Sequence, residues 1–145
     1  MVNEANKLIF TSPEWGCKLQ QNCLPVSMMI IEEVKKFFPD AKVVIGDAIR
    51  HKNIALTTLQ KNSIKHFSKI DPPSTKPDFH AWIKVDKTRI LDIVGPSWFG
   101  IEMPYLDEEN SKEFDITYQE VLSNPVDVDA FYIRLKKGTK EQEWK

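Results

Sequence analysis

A chain of 145 residues with 41% hydrophobic and 28% charged side chains suffices for one domain that buries its own core without disulfides or a structural metal. Its formal charge of −1 supplies no electrostatic drive toward nucleic acid or an anionic membrane surface. No apolar run approaches a bilayer span, "MVNEANKLIF" lacks the regions of a secretory signal, and two cysteines, Cys17 and Cys23, are too few for a disulfide framework. The expectation is a cytoplasmic protein with reduced thiols, although export without a signal would leave no trace here.

The first predicted element is a helix in "NCLPVSMMIIEEVKKFF", where Val26, Met29, Ile30, Val34, Phe37 and Phe38 recur on one side. Asn22 is its expected cap, Pro25 fits the first turn, and Pro39-Asp40 ends it. Ile31 falls off that stripe, which predicts a central helix buried over much of its circumference. The β-branched "AKVVIGDAIR" predicts a strand with Gly46 at a bulge or close backbone approach. Ile54, Leu56, Leu59, Ile64 and Phe67 predict a second helix, and "KIDPPSTKPD" a loop. Strands at about 79–85 and 89–94 form a predicted hairpin. After it, "GPSWFGIEMPYLDEENSKEF" is expected to be irregular, "DITYQEVLSN" a weak helix or turn, and "DAFYIRL" a final strand. From about residue 136 onward the chain reads as a frayed polar tail. A helix followed by a few strands predicts an α+β fold, with the N-terminal helix packed on a small antiparallel sheet.

The hairpin carries two polar side chains in otherwise apolar strands, His80 and Asp92. An even register puts them on one face: a loop centred on Asp86 makes them directly opposite, one centred on Lys87 makes them diagonal. At about 4.5–5.5 Å or about 7–8 Å between β-carbons, a carboxylate reaches an imidazole in either arrangement. An odd register puts them on opposite faces. Cys23 stands at the head of the first helix, where unpaired N–H groups favour an anion, and a thiolate is the reactive form of cysteine. Nucleophile, acid/base and orienter are then all present, and the helix start offers N–H donors to an oxyanion.

A cysteine heading a helix, a following "VVIGD" strand, then "HAW" with a short return to "LD", resembles the transglutaminase-like branch of the papain-like cysteine protease superfamily, over about residues 20–95. The resemblance implies a papain-like core and a triad of Cys23 as nucleophile, His80 as base and acid, and Asp92 as orienter. It implies a hydrolase or acyltransferase that opens a peptide or carboxamide bond through a thioester on Cys23. Gln20 and Gln21 lie closer to Cys23 than the glutamine that papain-type enzymes use as oxyanion donor; Trp15 and Trp98 are aromatic alternatives, and the donor stays open. Trp98, Phe99 and Tyr105 are candidates for one wall of a substrate groove.

Simpler readings compete. A free cysteine is commonly an inert core residue, Trp82 reads as core, and His51 and His66 as solvent-exposed. Asp47, after "VVIG", reads most simply as a loop aspartate following a strand, with pocket lining as the alternative. A zinc site on Cys23, His80 and Asp92 lacks the paired, closely spaced ligands such sites use, and no Gly-rich phosphate loop is present, so neither metal nor cofactor is expected. The expected partner is a peptide, protein or small amide substrate. The alternative is a binding domain that keeps the fold without turnover and docks a partner on the aromatic stretch from Trp98 to Tyr105.

Overall fold

The computed structural model describes residues 23–51, 56–69 and 77–137. The elements run α1 (Cys23–Lys35), β1 (Lys42–Arg50), α2 (Thr58–His66), β2 (His80–Lys84), β3 (Ile90–Asp92), α3 (Gly95–Phe99), β4 (Leu106–Asp107), α4 (Glu108–Glu113), β5 (Ile116–Leu122) and α5 (Pro125–Lys137). The strands form one sheet in the order β4-β3-β2-β1-β5, and all its neighbours pair antiparallel. The mixed α+β architecture with a small antiparallel sheet is therefore as the sequence predicts.

Helix α1 begins at Cys23 and carries Pro25 in its first turn, where a missing N–H leaves no bond unmade. Its buried residues are Cys23, Leu24, Val26, Ser27, Ile30, Ile31 and Val34, a single stripe at helical spacing. Ile31 thus belongs to the core face, whereas Met29 and Phe37 are exposed. With Glu32, Glu33 and Lys35 also in solvent, α1 is packed on one side, narrower than the expected burial over much of its circumference.

Successive strand residues point to opposite faces, and the sheet uses both. On one face Val43 and Ile45 of β1, Ala81 and Ile83 of β2, Leu91 and Leu122 join α1, Ile64 of α2, and Val128 and Phe131 of α5 in the larger core. On the other, Ala48, Leu106 and Ile116 pack with Ile101 and, at the margin, Phe99, Phe114 and Tyr118. His80 and Trp82 alternate with Ala81 and Ile83 and so turn to this second side.

Strand β5 replaces the expected weak helix or turn. Its pairing with β1 slips by one: Ile45 faces Leu122, but Gly46 faces Glu120, leaving Val121 as an extra residue. The bulge lets Leu122 join the larger core while Tyr118 and Ile116, of the same parity, turn to the opposite face. Gly46 meets its expectation as a close-approach point, since a β-carbon there would collide with the Gln119 carbonyl. The expected final strand is instead helix α5. Asn124 caps it through Oδ1 on the Val126 N–H at 2.8 Å, Pro125 opens it, and Val128 and Phe131 bury one turn apart. Residues 95–114, expected to be irregular, hold α3, β4 and α4. Gly100 closes α3 in the left-handed conformation, φ 67°, and an Asp107–Asn110 capping box starts α4.

Candidate functional site

The turn of the β2–β3 hairpin fixes the geometry. Asp86 Oδ1 accepts the N–H groups of Thr88 (3.0 Å) and Arg89 (2.9 Å), and the Val85 N–H donates to the Arg89 carbonyl at 2.8 Å. Ile83 pairs with Leu91 and Lys84 with Ile90, a register centred on Lys87. That is the even, diagonal case, with His80 and Asp92 on one face. His80 Nε2 and Asp92 Oδ2 lie 2.7 Å apart, with the two side chains 0% and 1% exposed.

The Asp92 carboxylate accepts from three donors. Oδ1 accepts the Gly95 N–H at 2.8 Å, tying the end of β3 to the start of α3. Oδ2 accepts the Tyr118 O–H at 2.7 Å in addition to His80. Burial favours neutral imidazole, yet the charge and hydrogen bond of Asp92, helped by Cys23, outweigh it and push His80 up from its ordinary value. The Tyr118 phenol is also pushed up, first by burial and then by the Asp92 charge.

Cys23 carries a free, buried thiol at the first position of α1. It neighbours His80 and is among the groups that help raise the imidazole. Because Asp92 holds Nε2, Nδ1 is the ring nitrogen left for sulfur. Nδ1 has no hydrogen-bond partner.

Trp98, 36% exposed, sets its ring 5.1 Å from that of His80. Trp82 stacks on the other flank at 6.0 Å and is a core residue, as expected. Tyr105 is separate: its ring packs against the larger core. Asp47 lies within β1 rather than in a loop and is half-buried. It lines a cavity with Pro77, Asp78 and residues of α2. Burial raises its carboxyl. His51 and His66 are exposed. Asn22, Ile54, Cys17, Trp15, Gln20 and Gln21 lie outside the described residues. Among the described residues no three His, Cys, Asp or Glu side chains gather as metal ligands, and no helix is long and apolar enough to cross a membrane.

Two members of the site had no place in the sequence reading. Tyr118 was hidden because β5 was not recognised as a strand. Gly95 had a readable signal, an aspartate three residues before a glycine, as in a side-chain-closed turn. Comparison with known proteins adds nothing to this geometry: no family model, curated protein or solved structure matches the chain.

Proposed function

We propose that the chain is a cysteine hydrolase with a transglutaminase-like, papain-like core, acting on a peptide or carboxamide bond. The observation that carries this reading is a wholly buried imidazole with one nitrogen held by a carboxylate at 2.7 Å and a free thiol at a helix start acting on the same ring.

In the proposed reaction His80 carries the proton that it shares with Cys23, and the Cys23 sulfur bonds to the substrate carbonyl carbon. The carbonyl oxygen gathers negative charge near the N–H groups that open α1. As the C–N bond breaks, His80 returns the proton to the leaving amine, and a thioester remains on Cys23. Water then attacks the thioester while His80 takes its proton; the acid leaves and the thiol is restored. An amine in place of water gives acyl transfer, but water is the default acceptor. Asp92 keeps the imidazole in one tautomer and stabilises its charged form. Trp98 offers a flat apolar wall beside the reacting groups. Tyr105, partly buried against the larger core, is the second proposed wall residue.

The test is intact-mass spectrometry after incubation with peptide-amide and activated acyl probes. Wild type is expected to gain one acyl group on Cys23, and Cys23→Ala and His80→Ala none. Cys23 alkylation by iodoacetamide should slow in His80→Ala. An unlabelled wild type whose Cys23 ignores His80 would sink the proposal.

One observation favours the non-catalytic alternative. Cys23 and His80 are 2% and 0% exposed, so a substrate reaches them only if neighbours such as Trp98 move. A binding domain predicts that Cys23→Ser keeps the cellular effect of the protein, whereas an enzyme predicts its loss.

A further inference from the structure

We infer that Tyr118 is a positioning residue for the His80–Asp92 pair, its phenol O–H fixing the carboxylate and tempering the hold that Asp92 exerts on the imidazole. Both donors share one oxygen: Tyr118 O–H and His80 Nε2 each lie 2.7 Å from Asp92 Oδ2. Gly95 occupies Oδ1, so the carboxylate has no freedom to turn.

The contact is built from distant parts of the sheet. Asp92 ends β3, Tyr118 stands on β5, and β2 and β1 lie between them. Tyr118 pairs with Ala48 of β1, and β1 presents Gly46 opposite His80. These two small residues leave the ring a lane across the sheet, where it meets Trp82 edge-on at 4.9 Å. The bulge at Val121 is what turns Tyr118 to this face. A purely packing role would be filled by phenylalanine; only the hydroxyl makes the bond to Asp92.

The chemistry follows from the shared oxygen. A carboxylate that accepts a second donor has its charge partly neutralised and stabilises a neighbouring imidazolium less. The donor is permanent, because burial and the Asp92 charge keep the phenol protonated. The other titratable groups acting on His80 are Cys23 of α1 and Asp47 of β1, and Asp107 of β4 acts on Tyr118. The tuning of the pair stands on this geometry, while its use in catalysis rests on the cysteine-hydrolase reading.

The experiment is an NMR titration of the ¹⁵N-labelled His80 ring in wild type, Tyr118→Phe, Asp92→Asn and the double variant. Tyr118→Phe is expected to raise the proton affinity of His80 about three- to tenfold, equivalent to about half a unit to one unit of pKa. The same change in the Asp92→Asn background should have no effect. An unchanged or lowered affinity in Tyr118→Phe, or an equal rise in both backgrounds, overturns the inference. Should Tyr118→Phe not fold, the wild-type hydroxyl proton provides the second reading. It should appear as a slowly exchanging downfield resonance with a cross-peak to the His80 ring, and its absence overturns the inference equally. Neither readout depends on thioester formation, so a failed acyl-labelling experiment leaves this one intact.

Discussion

At the scale of single residues, Asp92 does three things with two oxygens: it holds His80, receives Tyr118, and anchors Gly95 at the head of α3. Its replacements should therefore separate chemistry from folding. Asp92→Asn keeps the size and one acceptor but turns an N–H₂ toward at least one donor, which selects the wrong imidazole tautomer. Thioester formation should fall about 10²–10⁴-fold while the fold survives. Asp92→Ala strands three donors, His80, Tyr118 and the Gly95 N–H, and should in addition cost about 1–3 kcal/mol of stability, measured by urea denaturation. The surroundings of Asp92 are tight in the same sense, because a β-carbon on Gly95 would sit 2.5 Å from Asp92 Oδ2 and 2.7 Å from Leu106 Cδ1.

At the scale of elements, the bulge between β1 and β5 decides which side chains reach the second face. Gly46→Ala would drive a methyl group into the Gln119 carbonyl, and the backbone cannot yield as a flexible side chain would. A loss of about 1–3 kcal/mol is expected, with faster amide exchange in β5 than in β2 as its signature. The same bulge explains what the sequence could not disclose. In "ITYQEVL" the residues Ile116, Tyr118 and Leu122 share parity yet serve opposite faces, so no alternation marks the strand. The run Phe131-Tyr132-Ile133 has β-forming composition, but burial of Val128 and Phe131 makes it helical, and only Asn124-Pro125 announced that helix. By contrast α1, β1 and the hairpin were legible because their apolar residues keep one period and their ends carry Pro or turn residues. Cys23, His80 and Asp92 were legible for that reason, but the register was not: the sequence allowed centring on Asp86, on Lys87 or an odd pairing, and only the structure centres it on Lys87. Tyr118 required the part of the fold that was misread.

At the scale of the whole molecule, the buried pair ties stability to pH. His80 binds its proton more tightly when folded, pushed up from 6.5 to about 10. Its contribution is therefore complete below pH 6.5 and is lost as pH rises toward about 10. Tyr118, also raised, acts in the same direction at higher pH. Urea midpoints at pH 6.5, 8 and 9.5 should fall steadily in wild type and change far less in Asp92→Asn, which lacks the charge responsible. The strand order has a different consequence, for how the protein is made. β1 meets β2 about 35 residues later but reaches β5 only after about seventy, a long loop to close and a slow contact to form. While the chain grows, Ile45–Arg50 therefore presents an open strand edge after every reacting residue has already been synthesised. A chain stopped before Ile116 would hold Cys23, His80 and Asp92, yet its unpaired edge would offer a template for other copies. The last strand among the described residues thus turns β1 into an interior strand and takes over as the edge of the sheet.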